Sequence, residues 1–377
     1  MKIAIVCYPT FGGSGVVATE LGMGLSELGH EVHFITYKQP VRLQYLSSNI
    51  KYHEVSVPEY PLFHYQPYEL ALSTKLVNTI KKYKIDLLHV HYAIPHAYAG
   101  YMAKQMLKEQ GIDVPMMTTL HGTDITLVGS HNFYKVAVNF SINKSDVVTS
   151  VSQNLKSDTL KYFDIKKDIK VVPNFINFDN LNFYEGDCRR HTMADEDEFI
   201  MTHVSNLRPV KRITDAIEVF AKVRAHRKGK FIVIGDGPDR DKAVNKAIQL
   251  DVRDDVIFMG QSNDIERILC FSDIFLLPSQ SESFGLAALE AMAHSVPVIS
   301  TNTGGIPEVN VHGKSGFLSD VGNTDDMAKN ALKILESPEI HQEFRDNARL
   351  ISEKFDIKHI IKLYEELYEG MLVKHDI

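Results

Sequence analysis

The sequence predicts an α/β protein of two doubly wound, Rossmann-like domains, each built on a parallel sheet. The chain has 377 residues, more than one typical core accommodates, so two domains are expected. Short apolar, β-branched segments alternate with helical patterns throughout, as in parallel βαβ units. The apolar segments are nearly continuous, which is typical of strands covered by helices on both faces.

The first half of the chain contains six predicted strands, at residues 2–7, 31–36, 50–55, 86–90, 115–120 and 146–151. The first helix is expected at about residues 15–28, because Leu21, Leu25 and Leu28 share one helical face. Gly29 follows and is a favoured residue just past a helix end. The first predicted domain covers residues 1–174.

The alternation breaks between residues 170 and 198 and then starts again. The second series of predicted strands comprises residues 199–204, 230–235, 256–259, 273–277, 296–300 and 316–318. These define a second domain over residues 175–356. The last helical pattern, from about residue 357 to 372, has no strand after it, so we expect segment 357–377 to cross back to the first domain. Ligands of open α/β sheets bind beyond the carboxyl ends of the strands, so we expect the site in a cleft that the two sheets face.

Composition excludes several classes of function. The net charge of −7 argues against nucleic-acid or membrane-surface partners, since no basic excess is available to bind phosphates. The N-terminus lacks the apolar region of a signal peptide, and no apolar run approaches the ~18 residues of a membrane span. The three cysteines lie far apart without a CxxC pair, which predicts neither disulfides nor a thiolate zinc site. We expect a cytoplasmic enzyme, with homo-oligomerisation left open.

The stretch over residues 277–309 is the most informative about chemistry. Glu282 lies in a polar loop, and Glu290 follows it inside a predicted helix. Phe284, Gly285 and Leu286 lie between them, at the N-terminus of that helix, where free N–H groups suit a phosphate. Carboxylates nearby can accept hydrogen bonds from sugar hydroxyls. The combination predicts a sugar-nucleotide site.

The loop after the first predicted strand is rich in small residues. Its Gly13 and Gly15 allow a ligand to approach the backbone, and Ser14 adds a hydroxyl near a helix N-terminus. The segment starting at Gly13 also fits the G-x-G-x-x-A form of the dinucleotide fingerprint. However, the loop is longer than the tight turn of that motif, and the second strand ends without the acidic residue that binds a ribose, which argues against an NAD-dependent dehydrogenase.

Polar residues also end two further strands of the first domain. Strand alternation places His89 and His91 on one face, but no carboxylate or cysteine is spaced to complete a metal site. Tyr92, Thr119 and His121 are therefore interpreted as ligand contacts at strand ends. Asp124, close behind them, is interpreted either as a ligand contact or as a local helix cap.

A basic segment follows the first strand of the second domain. It contains Asn206, Arg208, Lys211 and Arg212, and its cations can neutralise a diphosphate leaving group. Gly235 belongs to a turn after the next strand, either lining the nucleotide pocket or serving only as a turn. The acidic pairs Asp195/Asp197 and Asp239/Asp241 lie away from strand ends and are read as solvated charge, so no metal is expected.

Over essentially its whole length the chain resembles the retaining glycosyltransferases of the GT-B fold. The resemblance rests on the Gly-rich first loop, Lys211, the turn at Gly235, the Glu282/Glu290 pair with its Phe-Gly-Leu segment, and the TGGIPE run at residues 303–308. Within that family the chain is most similar to the N-acetylglucosaminyl malate synthases of bacillithiol synthesis, through CYPTFGGSG, HVHYAIPHAYAGYMAKQML, TTLHGTDIT and HVSNLRPVKR.

The resemblance implies UDP-N-acetylglucosamine as donor, L-malate as acceptor and no metal or other cofactor. It implies a catalytic set of Lys211, His121 and Glu282. The implied donor contacts are Gly13, Gly15, Asn206, Arg208, Lys211, Gly235, Glu282, Phe284, Gly285, Leu286 and Glu290. By their positions at strand ends and in the neighbouring loops, and not from the resemblance, the candidate acceptor contacts are Ser14, Tyr92, Thr119, His121, Asn206 and Arg208.

Two questions stay open at the level of sequence. Many relatives carry arginine where this chain has Asn206, so the second phosphate cation is expected to be Arg208 or Arg212, or Arg208 contacts the malate instead. The alternative functions are transfer to another small acceptor and, from a different class, a non-catalytic sugar-nucleotide sensor.

Overall fold

The fold is described from a computed structural model that covers residues 1–10, 12–43, 48–57, 59, 65–127, 129, 131–181, 190–262 and 264–375. Phe11, in the Gly-rich first loop, lies outside the described residues. The chain divides into two compact units. Unit 1 comprises Met1–Phe175 together with Ile357–Ile377, and unit 2 comprises Ile176–Asp356.

Unit 1 is organised around a parallel sheet of seven strands in the order β3-β2-β1-β4-β5-β6-β7. The strands are β1 (Lys2–Val6), β2 (Glu31–Thr36), β3 (Ile50–Glu54), β4 (Leu87–His91), β5 (Met116–Leu120), β6 (Val147–Ser150) and β7 (Ile169–Val171). All six strands predicted for this half are present. The sequence reading missed β7, a three-residue edge strand in which only Ile169 is buried, because so short a segment shows no clear period.

The helices of unit 1 cover its sheet. They are α1 (Gly13–Glu27), α2 (Tyr68–Tyr83), α3 (Tyr98–Lys108), α4 (Asn132–Lys144), α5 (Gln153–Tyr162) and α13 (Ile357–His375). A turn over Ala93–Ala97, in which Ile94 is extended, follows β4, and a short π-helical turn over Thr123–Leu127 follows β5. A core of aliphatic side chains from β1, β4, α2 and α3 fills the space between sheet and helices.

The C-terminal helix α13 packs against α1 within unit 1. Gly24 of α1 lies at this contact, where a Cβ would approach the terminal methyl groups of Ile361 and Ile357 to 2.9 and 3.0 Å. At the end of α1, His30 bonds Glu365 of α13 at 2.8 Å. Deeper in the unit, the Tyr368 hydroxyl lies 2.7 Å from Nδ1 of His89. Apolar packing and buried polar contacts therefore both hold α13 in place.

Unit 2 contains a parallel sheet of six strands in the order β10-β9-β8-β11-β12-β13. The strands are β8 (Phe199–Val204), β9 (Gly229–Ile234), β10 (Val256–Gly260), β11 (Ile274–Leu277), β12 (Val298–Thr301) and β13 (Gly316–Ser319). The helices are α6 (Ile213–Arg224), α7 (Arg240–Gln249), α8 (Ile265–Cys270), α9 (Leu286–Ala293), α10 (Ile306–Val309), α11 (Thr324–Ile334) and α12 (Pro338–Ser352). The six strands predicted for this half are confirmed, with boundaries shifted by one or two residues.

Strand order decides where the loops gather. In unit 1 the order reverses between β1 and β4, and in unit 2 it reverses between β8 and β11. Ligands of open α/β sheets bind beyond the carboxyl ends of strands at such reversals. The loops that follow β1, β4 and β5, and those that follow β8, β11 and β12, are therefore the candidate site regions of their units.

Two further expectations can be compared with the structure. Cys7 is a buried free thiol, but Cys270 is disulfide-bonded, so the expected absence of disulfides is wrong at Cys270. The prediction relied on the distance between cysteines in the sequence, but a disulfide requires only that two cysteines be close in the folded structure. None of the helices in the described part of the chain combines the length and apolarity that a bilayer crossing requires.

Candidate active site

In unit 2, the loops after β8, β11 and β12 are joined by main-chain hydrogen bonds. The Gln280 N–H donates to the Val210 carbonyl at 2.8 Å, and the Gly305 N–H donates to the Glu282 carbonyl at 2.9 Å. Each bond links loops that follow neighbouring strands. The loops therefore form one connected rim at the carboxyl edge of the sheet.

Glycine at position 304 is required by this packing. Gly304 has φ +59°, and a Cβ there would lie 1.9 Å from the Glu282 carbonyl oxygen. The next residue, Gly305, is as closely packed, with a built Cβ only 2.3 Å from the Ser283 carbonyl oxygen. The TGGIPE run predicted from sequence thus serves to hold the loop that carries Glu282.

The Lys211 ammonium and the Glu282 carboxylate form an ion pair at the centre of this rim. Both side chains are mostly shielded, with 22% and 14% of their surfaces exposed. The Ser279 hydroxyl donates to the same oxygen, Oε1, at 2.9 Å. No partner is present for Oε2 of Glu282 among the described residues, so that oxygen remains available to a ligand.

The N-terminus of α9 adjoins Glu282. Gly285 precedes the helix with φ +95°, and the N–H groups of Gly285 and Leu286 have no acceptor among the residues that the structure describes. Phe284 is buried against Phe355, with ring centroids 5.6 Å apart, and fixes the start of the helix. Unpaired N–H groups at a helix N-terminus favour an anion.

Glu290 lies within α9, one helical turn and more beyond this N-terminus, and is partly buried. Its backbone carbonyl accepts a hydrogen bond from Nδ1 of His294 at 2.9 Å. The structure thus places Glu282 and Glu290 on one loop–helix segment, at the two ends of the seven-residue spacing seen in the sequence.

The structure distinguishes the two candidate cations near Lys211. Arg212 is committed to Asp215, which it contacts through Nε and Nη2 at 2.7 Å each. Arg208 is exposed and forms no ion pair within the described ranges. Asn206, also exposed, lies in the same loop after β8.

Gly235 follows β9 and has a close-packing role. Its φ is +113°, and a Cβ there would lie 1.8 Å from the Ser205 carbonyl oxygen. The turn at Gly235 is therefore packed directly on the loop that carries Asn206. This contact explains the glycine without a ligand.

In unit 1, Ser14 and Tyr92 are brought together from loops after β1 and β4. The Tyr92 hydroxyl donates to Oγ of Ser14 at 2.8 Å. Burial raises the pKa of Tyr92 to about 12, so this hydroxyl stays protonated at neutral pH. Gly15, one residue on, packs against the loop backbone, since a Cβ there would lie 2.4 Å from the Thr10 carbonyl oxygen. Gly13 is exposed at the start of α1.

The strand-end histidines form a buried cluster. His91 and His121 lie 2.8 Å apart through Nδ1 and Nε2, and Nδ1 of His96 lies 2.6 Å from the His91 carbonyl oxygen. Burial lowers the pKa of His121 and His89 to about 3 and that of His96 to about 4. These side chains are therefore neutral at physiological pH.

Thr119 is not positioned as the sequence predicted. It is fully buried, and its hydroxyl bonds Nε2 of His89 and Oγ1 of Thr149, each at 2.7 Å. The side chain points into the sheet layer beneath α13, whereas the sequence reading took it as an acceptor contact. The position of Thr119 near the end of β5 did not reveal whether its side chain faces solvent or the interior.

Asp124 acts as a main-chain acceptor, but not as the helix cap that the sequence suggested, because its N–H donors precede it in the chain. Its carboxylate accepts N–H bonds from Ala93 at 2.9 Å, from Gly122 at 3.0 Å and from His121 at 3.3 Å. Burial raises its pKa to about 6. Asp124 thereby joins the loops after β4 and β5.

Sequence reasoning missed a cavity of about 610 Å³ in unit 1. Its walls include Tyr8, Tyr92, Pro95, Tyr98, Asp124 and Tyr134. These six residues come from four separate segments, so no local motif identifies the cavity. The sequence analysis also did not identify Ser279 as a site residue. Its position just after a strand and three residues before Glu282 could have indicated the contact.

The described residues contain no group of three or more His, Cys, Asp or Glu side chains that could hold a metal ion. Asp239, which the sequence reading took as solvated, is instead buried at the start of α7 and lies 2.7 Å from Lys242.

Two family models match the chain. Glycosyl transferases group 1 covers residues 187–351, and Glycosyltransferase Family 4 covers residues 11–180. An N-acetyl-alpha-D-glucosaminyl L-malate synthase from Bacillus anthracis is 43% identical over 99% of this chain and 97% of its own length. The chain belongs to the group 1 glycosyltransferases.

Other relatives of this glycosyltransferase are more distant. An uncharacterized glycosyltransferase from Methanocaldococcus jannaschii is 26% identical over 97% of the chain and 99% of its own length. The phosphatidylinositol N-acetylglucosaminyltransferase GPI3 subunit of Saccharomyces cerevisiae is also 26% identical, over 98% of the chain and 83% of its own length.

Solved structures agree on the fold. HepE of Anabaena in complex with UDP and glucose has a TM-score of 0.83 at 20% identity, covering 98% of this chain and 100% of that one. Sucrose-phosphate synthase from Thermosynechococcus elongatus has a TM-score of 0.80 at 20% identity, covering 99% and 100%. The predicted GT-B fold is confirmed.

Proposed function

We propose that this glycosyltransferase moves N-acetylglucosamine from UDP-N-acetylglucosamine to the hydroxyl of L-malate, with retention at the anomeric carbon. The observation that carries the proposal is the 43% identity, over nearly the whole of both chains, to an enzyme named for this product. That name specifies an α-linked sugar. Because the donor sugar is α-linked to UDP, an α-linked product corresponds to retention.

Unit 2 supplies the groups that this donor needs. The Lys211 ammonium and the open N–H groups at the start of α9 suit the two phosphates. Arg208 is the second phosphate cation in our proposal, because Arg212 is already held by Asp215. Charge that develops on the departing UDP is then stabilised by groups fixed in advance.

The two glutamates are assigned to sugar hydroxyls. Oε1 of Glu282 is occupied by Lys211 and Ser279, while Oε2 is open to a hydroxyl of the transferred sugar. Glu290, farther along α9, is assigned to the ribose hydroxyls of uridine. In these roles the glutamates orient the donor, and neither acts as a nucleophile.

Retention then proceeds on one face of the sugar. The bond between the anomeric carbon and the phosphate oxygen breaks, the malate hydroxyl oxygen forms the new bond to that carbon, and its proton passes to the departing phosphate. Orientation and electrostatic stabilisation supply the catalysis. No metal takes part in the proposed reaction. Ser14, Tyr92, His121 and Asn206 are the proposed acceptor contacts.

Transfer of the same sugar to another acceptor is the second candidate. The 26% identity to a yeast phosphatidylinositol N-acetylglucosaminyltransferase subunit favours it specifically, because that relative is named for the same sugar and a different acceptor.

The test is UDP release from UDP-N-acetylglucosamine, measured in parallel with and without excess EDTA. The acceptors are L-malate, D-malate, succinate, inositol 1-phosphate and vesicles containing phosphatidylinositol. We expect release with L-malate, none with succinate, which lacks the hydroxyl, and an α-anomeric product by proton NMR. Release with another acceptor and not malate would transfer the proposal to that acceptor. Donor binding without release in any mixture would favour a sensor, and loss of activity in EDTA would refute metal independence.

A further inference from the structure

The pair formed by His91 and His121 constrains the chemistry of the candidate site. The two rings come from the ends of neighbouring strands and stack with centroids 5.0 Å apart and an interplanar angle of 28°. Nδ1 of His91 lies 2.8 Å from Nε2 of His121. His91 is fully buried, and His121 retains 8% exposure.

Only one proton can lie between these two nitrogens. Burial holds the pKa of His91 well below its usual 6.5 and lowers that of His121 to about 3, so both rings are neutral. A neutral imidazole carries one N–H and one bare nitrogen. The ring that donates in this hydrogen bond therefore fixes the tautomer of both residues.

The environment of the second His91 nitrogen distinguishes the two arrangements. Nε2 of His91 is buried and has no partner among the described residues. If His121 donated, His91 would carry its proton on Nε2 and leave a buried N–H without an acceptor. If His91 donates, only a bare ring nitrogen is left unpaired. Buried N–H groups without an acceptor are rare in folded proteins, because the lost hydrogen bonds to water are not replaced.

His96 shows that this cluster accommodates a bare nitrogen. Its Nδ1 lies 2.6 Å from the carbonyl oxygen of His91, which can only accept, so the proton of His96 is on Nδ1. Nε2 of His96 is then bare, buried and without a partner in the described part of the chain. The neighbouring ring thus already adopts the arrangement inferred for His91.

We infer that His91 is a positioning residue that holds His121 in the tautomer with its proton on Nδ1. His121 then presents a hydrogen-bond donor to the substrates. Nδ1 of His121 has no partner among the residues described, and it is the nitrogen left for a ligand. The inference rests on the proposed function in assigning His121 to a substrate contact. It gives that contact a direction, because His121 binds a hydroxyl, carboxylate or phosphate oxygen and does not remove a proton.

The direct test is long-range ¹H–¹⁵N NMR on the full chain labelled with ¹⁵N-histidine, with signals assigned by single substitutions. We expect His121 and His91 each to show a protonated Nδ1 and a bare Nε2 at pH 7.5. A protonated Nε2 on His121 would overturn the inference. This readout needs no turnover, so it decides the tautomer even if the proposed reaction is wrong.

Variants of His91 test the consequence for catalysis. His91→Asn keeps an amide donor near the position of Nδ1, whereas His91→Leu removes it. We expect His91→Leu to lower kcat/KM roughly tenfold, as one lost oriented hydrogen bond would, and to give a mixed His121 tautomer. His91→Asn should keep most of the kcat/KM and most of the His121 population in the Nδ1-protonated tautomer.

A second histidine pair in the same sheet provides the control. His53 bonds His33 at 2.9 Å across β2 and β3, away from the strand ends that carry His91 and His121. His53→Leu should leave kcat/KM and the His121 signal unchanged. Equal activity of His91→Asn and His91→Leu would overturn the positioning role, as would an unaltered His121 tautomer in a folded His91→Leu protein.

Discussion

At the scale of single residues, the candidate donor site depends on a pair of opposite charges distant in sequence. Lys211 and Glu282 are 71 positions apart, yet they meet because β8 and β11 are neighbours in the sheet of unit 2. Ser279 bonds the same carboxylate oxygen as Lys211. The other carboxylate oxygen has no partner among the described residues, and both side chains keep some solvent exposure. An ion pair that is only partly satisfied in this way is suited to reorganise around a charged ligand.

We expect Lys211→Ala to lower kcat by about 10²–10³, the typical loss for one preorganised donor to developing charge. The fold should persist, because the lysine lies at the rim. Turnover is measured by UDP release, and folding by circular dichroism.

Lys230→Ala is the matched control for Lys211→Ala. Lys230 is also paired with carboxylates in unit 2, at 2.6 Å from Asp255, but it lies on β9 and outside the candidate site. It should retain near-normal kcat. Near-normal turnover of Lys211→Ala would remove Lys211 from the catalytic role.

At the scale of elements, glycines set the spacing between the site loops. Gly304 and Gly235 each lie where a Cβ would overlap the backbone of the adjoining loop. From sequence, Gly235 was either part of the nucleotide pocket or only a turn, and Gly304 belonged to the TGGIPE run on which the family resemblance rests. The structure shows that close approach of one loop to another already requires them. Their contribution to ligand binding is therefore indirect, through the position of the residues on those loops.

Gly304→Ala is expected to displace the loop that carries Glu282. A Cβ at this position would lie 1.9 Å from the Glu282 carbonyl oxygen, and such overpacking costs about 1–3 kcal/mol beyond the strain of a positive φ. We expect a lower melting temperature and a loss of kcat.

Gly313→Ala is the control that tests the strain of a positive φ without any overlap between loops. Gly313 has φ +73°, close to the +59° of Gly304, but a Cβ there has nothing within 4 Å. This variant should show only the smaller stability loss and near-normal kcat. Equal effects of the two substitutions would show that loop overlap is unimportant.

At the scale of the whole molecule, buried histidines make stability depend on pH. Burial lowers the pKa of His89, His96 and His121 to between about 3 and 4, and that of His91 well below 6.5. In the unfolded chain these groups titrate near 6.5, so the unfolded state binds more protons below that pH. The contribution of these neutral histidines to folding stability is fully present above pH 6.5. It is lost as the pH falls toward their pKa values in the folded protein. Asp124 has the opposite sign, because its pKa is raised to about 6 and its contribution is lost as the pH rises through that value.

We expect the free energy of unfolding to be lower at pH 5.5 than at pH 7.5. Each of the four histidines loses about 1.4 kcal/mol one pH unit below its unfolded pKa. Asp124 stabilises the folded protein at pH 5.5 relative to pH 7.5, and this offsets less than about 1 kcal/mol of the summed histidine loss. Urea unfolding followed by circular dichroism at both pH values provides the measurement.

His96→Asn should reduce this pH-dependent loss by about 1.4 kcal/mol, since it removes one such group while keeping a donor to the His91 carbonyl. The exposed His226 is the control, and His226→Asn should leave the loss unchanged. A His96→Asn protein with the same pH dependence as the unsubstituted chain would contradict this account.

The sequence by itself determined the fold class, because hydrophobic period and strand length are local properties, and twelve strands were placed from them. It also determined the segment of unit 2 that carries Glu282, Glu290 and the start of α9, since those groups are close in the chain. Only the tertiary structure decided that Thr119 faces inward, that Lys211 pairs with Glu282 and that His91 adjoins His121. Which face of a strand is open, and which partner satisfies a charge, depend on residues brought together by strand order. That information is not present in any local stretch of the chain.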